Sequence, residues 1–167
     1  MSLSLDYVTD VKAADVDNDG DIDCVVAAQD DDQVKIFEND GSQSFSQRVV
    51  NPNVNGPRGV FIYDVDGDGS QDLLSASIYD NTIHLYLNDG YQSFSIQELT
   101  TTATGAMAVH ASDVYGDGDV DVVAGRAEST PFRRPRRASR QGLRRPDVSP
   151  QQASRGSPWR LVVSHVE

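Results

Sequence analysis

The chain has 167 residues, enough for one ordinary domain, and its 26 Asp and Glu against 14 Lys and Arg give a formal net charge of −12. That average hides two unlike parts: residues 1 to 125 hold 23 acidic side chains against Lys12, Lys35, Arg48 and Arg58, whereas residues 126 to 167 hold 10 Arg and 3 acids. The acidic part argues against nucleic acid as its partner, since phosphates are repelled at long range, and makes divalent cations the natural counter-charge.

In chain order, "MSLSLDYVTD" has no basic start and no apolar run, so it does not read as a secretory signal. Either the protein is made inside, or its true beginning is missing. No stretch approaches the length of a membrane span. The next feature is "DVDNDGDID" at 15 to 23, five carboxylates in nine positions. In water each repels its neighbours, and folding them into one loop raises that cost unless a cation sits between them. "DVDGDGSQD" follows at 64 to 72 and "DVYGDGDVD" at 113 to 121, so the three starts are 49 residues apart both times. The same offset lays "VKIFENDGSQSFS" (34 to 46) over "IHLYLNDGYQSFS" (83 to 95), with Asn39, Asp40 and Gly41 on Asn88, Asp89 and Gly90 and Phe45 on Phe94. One unit is written twice and a third is begun. The single cysteine, Cys24, rules out an intramolecular disulfide framework; Leu73 fills its slot in the second unit, which predicts a small buried apolar role.

Each unit has four short apolar runs separated by turn chemistry. In the second they are Val60 to Tyr63, Asp72 to Ala76, Thr82 to Leu87 and Phe94 to Leu99, and their length and β-branched and aromatic content predict strands. The "NDG" between the third and fourth runs predicts a hairpin turn. Ile83, Leu85 and Leu87 share one face of their strand while His84 and Tyr86 share the other, which predicts a sheet covered on both sides. Four antiparallel strands per unit, with faces that only neighbouring units can bury, describe a propeller blade. The expected fold is therefore all-β: a partial β-propeller of four-stranded antiparallel blades with a calcium loop in each repeat. A β-sandwich could use the same strands but would not need a strict repeat.

The spacing D-x-D-x-D-G-x-x-D has a mechanical reading. Side chains at positions 1, 3 and 5 converge inside a tightly curled loop, the Gly at 6 permits the turn, the carbonyl at 7 points inward, and position 9 closes the cage. The candidate ligands are Asp15, Asp17, Asp19, the backbone of Asp21, and Asp23; then Asp64, Asp66, Asp68, the backbone of Ser70, and Asp72. In the third loop Tyr115 replaces the second carboxylate, leaving Asp113, Asp117, the Asp119 backbone and Asp121, so weaker binding is expected there. These hard oxygens select calcium over zinc or copper, and magnesium resists so many direct protein ligands. Solvated Asp/Gly turns are the competing reading, weakened by three occurrences at a fixed spacing. An EF-hand would need a Glu at position 12 and flanking helices; here that position is Val26, Ser75 and Ala124, and the flanks read as strands.

"DVDNDGDIDCVVA", "DVDGDGSQDLLSA" and "DVYGDGDVDVVAG", each after an apolar strand and leading toward an "NDG" hairpin, resemble FG-GAP/VCBS repeats, as in the propeller of integrin α subunits and in many secreted bacterial proteins. The resemblance covers about residues 8 to 128. It implies a calcium-stabilised propeller blade in a secreted or cell-surface protein, used for adhesion or for protein-ligand or carbohydrate binding. Some relatives attach such propellers to hydrolases or lyases, so the alternative is the non-catalytic part of a secreted polysaccharide-active enzyme.

Residues 1–128 form the repeat region. After Glu128 the pattern stops: the third hairpin should fall at 137 to 139, where the chain reads Arg137, Ala138, Ser139. Residues 129–167 are a basic Pro/Ser/Arg-rich tail, read as a disordered terminus, a binding segment for acidic partners, or the product of a frame shift or gene-model error, the last favoured because composition reverses inside a strand. No arrangement reads as catalytic. His84, His110 and His165 are scattered without zinc spacing or a nucleophile elbow, so no enzyme activity is expected. With two complete units and part of a third, the open ends predict a fragment prone to self-association.

Overall fold

The computed structural model describes residues 5–91, 93–126, 149–151 and 159–163. Among these residues there is no helix. Twelve strands run β1 (Val8–Ala14), β2 (Asp23–Ala28), β3 (Gln33–Asn39), β4 (Phe45–Asn51), β5 (Pro57–Tyr63), β6 (Asp72–Ser77), β7 (Ile83–Asn88), β8 (Phe94–Thr100), β9 (Ala106–Ser112), β10 (Val120–Arg126), β11 (Ser149–Gln151) and β12 (Trp159–Val163). The four strands expected in the second unit are those observed as β5 to β8, each with bounds shifted by at most three residues.

Strands β1 to β4 form one antiparallel meander and β5 to β8 a second, in sequence order. Their hairpins follow from local chemistry. The "NDG" turns place Gly41 at φ 71° and Gly90 at φ 73°, a conformation glycine adopts without steric cost. Asp40 N donates to Ser44 O at 3.1 Å and Asp89 N to Ser93 O at 3.0 Å, closing the two turns alike. In the third sheet the order is β11-β12-β10-β9. There β9 and β10 pair antiparallel as in the other units, but the next strand, β12, runs parallel to β10, from Val120 opposite Trp159 to Ala124 opposite Val163. The tail therefore supplies two strands to this sheet; the expected third hairpin at 137 to 139 lies outside the described residues.

The sheets stack face to face in chain order. One core, with Val25, Ala27, Val34 and Ile36 from the first sheet, meets Val60, Leu73 and Tyr86 from the second. A separate core joins Leu74, Ala76, Ile83 and Leu85 of the second sheet to Val109, Ala111, Val122 and Ala124 of the third. Neighbouring residues Leu73 and Leu74 thus face opposite cores, and the second sheet is covered on both sides as the pattern of β7 predicted. Cys24 departs from expectation: it is a free, half-buried thiol, because alternation along β2 sends Val25 and Ala27 toward the second sheet and Cys24 to the other face.

The first strands of the units, β1, β5 and β9, lie side by side. Thr9 Oγ1 donates to Pro57 O at 2.9 Å and Val60 N donates to Asp10 Oδ2 at 3.1 Å, joining β1 to β5. Between β5 and β9 the approach is closer, since a Cβ on Gly59 would sit 2.8 Å from Met107 O and 3.0 Å from Ala108 Cα. This arrangement stacks all three acidic loops, which join the first strand of each unit to the second, at the same end of their sheets.

Candidate metal centre

Each acidic loop folds around its own first carboxylate. Asp15 accepts from Asp19 N at 3.2 Å and Gly20 N at 3.0 Å; Asp64 accepts from Gly67 N at 2.8 Å and Gly69 N at 3.0 Å; Asp113 accepts from Gly116 N, Asp117 N and Gly118 N at 2.6, 3.0 and 2.9 Å. These amides, Gly118 first among them, hold the exposed Asp113 carboxyl below its usual range. The glycine at position 6 sits at φ 97° in the first loop, 94° in the second and 89° in the third, as the sharp turn requires. Position 5 is fixed in turn: Asp19, Asp68 and Asp117 accept the amide two residues on, at 2.9, 2.7 and 3.2 Å.

The result is three carboxylate clusters. Asp15, Asp17 and Asp19 bring one oxygen each within 4.8 Å of one another; so do Asp64, Asp66 and Asp72, and Asp113, Asp117 and Asp121. All donors are hard oxygens, so each set fits a hard divalent cation and none suits a soft one. The chain would hold the ion through these side chains, and the ion would neutralise carboxylates that otherwise repel.

Position 9 has a second task. Asp23 is fully buried and accepts Val16 N and Asn39 N, both at 2.9 Å; Asp72 accepts Val65 N and Asn88 N, both at 2.8 Å. One carboxylate thus ties the start of its loop to the end of the third strand of its unit. Burial pushes Asp72 up to about 6, opposed by those two amides and reinforced by the charges of Asp66 and Asp68. Asp121 repeats the first half of this brace, accepting Val114 N at 3.0 Å. Of the remaining predicted ligands, Asp23 and Asp68 fall outside the three-residue clusters, while Asp21, Ser70 and Asp119 enter as donors to Asp19, Asp68 and Asp117 through their amides. Side chains at position 7 also matter: Asp21 and Ser70 approach Gly41 and Gly90 so closely that a Cβ there would collide with them. Tyr115, at the position that lacks a carboxylate, is 52% exposed.

Residues that loop spacing did not nominate complete the region. Asn88 is 2% exposed and its Nδ2 donates to Gln71 O at 3.1 Å and to Val16 O, in the first loop, at 2.8 Å. Its counterpart Asn39 donates to Ile22 O at 3.3 Å within its own unit. The recurrence of Asn at these two positions was the available signal, read as turn chemistry alone. The histidines are engaged elsewhere: His84 stacks on Tyr86 with ring centroids 6.1 Å apart, and His110 lies 4.2 Å from Phe61. His165 lies outside the described residues.

A family model described as FG-GAP-like repeat matches residues 15–75 and again 64–124, each match running from one acidic loop through the next. No curated protein matches the chain.

Proposed function

This chain belongs to the FG-GAP-like repeat family, and from that premise we propose that it is a calcium-binding β-propeller module, part of an extracellular or cell-surface protein, whose work is to present a surface to a protein or glycan ligand. Repeats of this family make a β-propeller-like array and are generally non-catalytic. The observation that carries the calcium reading is that each of the three acidic loops, at the same end of three stacked sheets, gathers three carboxylates, always including the Asp at its first position. Calcium takes six to eight oxygens in flexible geometry, which a loop with three side-chain carboxylates and further carbonyls can supply. Its role here is structural: it closes the connection between the first two strands of a unit and offsets carboxylate repulsion.

Ligand binding draws support from the opposite rim. Tyr7 and Tyr79 are 60% and 61% exposed there, on loops at the other end of the strands from the acidic turns. The open array also leaves surface for a second copy of the chain, a state that sedimentation across a concentration series would detect.

The deciding experiment melts the chain with calcium, with magnesium and with a chelator. An ion held at one hundred times its Kd adds about 2.7 kcal/mol per site, so calcium should raise the melting temperature well above both other conditions. Equal melting in calcium and chelator would sink the calcium reading. A glycan array, with Tyr79→Ala as control, tests the ligand class.

A further inference from the structure

We propose that Asn88 couples the first two acidic loops, so that a cation in one raises the affinity of the other. The inference rests on the calcium reading above and extends it from separate sites to a linked pair.

The link is a continuous chain of short hydrogen bonds. Asp72, a member of the second cluster, accepts the Asn88 amide at 2.8 Å. The Asn88 side chain then crosses between units and donates Nδ2 to Val16 O at 2.8 Å. That carbonyl belongs to the peptide bond whose nitrogen is Asp17 N, and Asp17 is in the first cluster. Little slack exists at either end: Val16 is 2% exposed in the core between the first two sheets, its own amide is held by Asp23 at 2.9 Å, and Asn88 is 2% exposed. Moving the Asp72 carboxylate to meet a cation therefore moves the amide of Asn88, and moving Val16 to close the first loop moves the acceptor of its side chain.

Two comparisons within the chain sharpen the assignment. Asn39 occupies the same place in the first unit and bonds Asp23 and Ile22, both of its own unit. At the corresponding position in the third unit the sequence has Arg137 in place of Asn. Asn88 thus hydrogen-bonds across from the second loop's brace to the first loop's backbone. Coupling of this kind is reciprocal by linkage, and its ordinary size is about 5-fold to 150-fold in affinity.

The test is a calcium titration of the full chain by calorimetry in four backgrounds: parent, Asp17→Ala, Asn88→Asp, and both together. Asn88→Asp keeps the shape and the backbone amide but replaces the donor to Val16 O with an oxygen. In the Asn88 background, disabling the first loop with Asp17→Ala should weaken calcium at the second loop by about fivefold or more; in the Asn88→Asp background that penalty should fall to near onefold. A second readout keeps the idea falsifiable if the double variant folds poorly. In Asp17→Ala, calcium at the second loop should shift the NMR resonance of the backbone amide at position 17, and adding Asn88→Asp should abolish that shift. Second-loop affinity indifferent to the state of the first loop, or an Asp17→Ala penalty unchanged by Asn88→Asp, overturns the coupling while leaving calcium binding intact. No calcium uptake by the parent chain overturns the underlying reading instead.

Discussion

Removing one oxygen from the interface between the first two sheets should cost a defined amount. Tyr86 is fully buried; its hydroxyl lies 2.8 Å from Ser75 Oγ and accepts Asn51 Nδ2 at 3.3 Å. Burial pushes its pKa up to about 12, so the group is a neutral hydrogen-bonding hydroxyl throughout the physiological range. Tyr86→Phe leaves two buried polar groups without this partner, Ser75 at 0% and Asn51 at 3% exposure. Stranding a buried polar group costs about 1–3 kcal/mol, and the long Asn51 bond belongs at the low end, so the expected loss is about 2–3 kcal/mol. The chain itself supplies the compensating change, because the same two slots in the first unit are Val26 and Phe37. Adding Ser75→Val to Tyr86→Phe removes the stranded hydroxyl and should restore roughly half the loss, with the Asn51 amide accounting for the rest. Urea unfolding of the parent, both single variants and the double, all in chelator, reads this directly. A Tyr86→Phe variant within about 0.3 kcal/mol of the parent, or a double variant less stable than Tyr86→Phe alone, would refute the reasoning.

Other expectations follow from single positions. Gly59→Ala drives a Cβ against the backbone of β9 at Met107 and Ala108, where no side chain can yield, so it should cost about 1–3 kcal/mol in a thermal melt; an unchanged melting temperature would mean that β5 and β9 are not held this close. Asp17→Ala should remove more of the calcium-dependent rise in melting temperature than Tyr115→Ala, and Tyr115→Asp should add to it, as judged by melts with calcium and with chelator. Burial lowers the pKa of His84 below 6.5, against the pull of Glu98 and Asp80. The unfolded chain then binds the extra proton, so the His84 contribution is complete above about 6.5 and is lost as pH falls through the folded value. Asp72 acts with the opposite sign over part of this window, so the measurable quantity is a difference: between pH 7.5 and 5.5 the parent should lose more stability than His84→Gln, and parallel profiles would contradict this.

Much of this architecture could be read along the chain because the repeat enforces it locally. The "NDG" hairpins and the D-x-D-x-D-G loops are each contained within a few consecutive residues and recur at a fixed 49-residue offset, and the two-faced pattern of β7 disclosed a sheet covered on both sides. What escaped notice lies between units. The Asn88 bond to Val16 spans 72 residues and the Asn51 bond to Tyr86 spans 35, separations set by stacking rather than by the repeat length. Gly59 was silent for a related reason: its repeat partners Asp10 and Ala108 both carry a Cβ, so nothing in the register marked the approach of β9. The tail was the largest departure, for the residues of β12 match no part of the repeat and their partner β10 lies more than 30 residues earlier.

That departure has a physical logic of its own. In the first two units a tight turn returns the chain beside the second strand, so the backbone groups of β2 and β6 are paired by the strand that follows at once. In the third unit the sequence leaves the repeat after Glu128, before any third repeat strand, and without another partner the outer edge of β10 would remain an unpaired template. A parallel partner satisfies it nearly as well, at the cost of a long connection, and β12 carries the Leu161, Val162 and Val163 that favour extended backbone. The repeat sequence therefore determines which edges must be closed, while the closing strand needs only to be extended, apolar and within reach. The first two cation clusters, at 15 to 19 and 64 to 72, form between the first two strands of their own units, whereas the third includes Asp121 of β10, the residue opposite Arg160 of the closing strand.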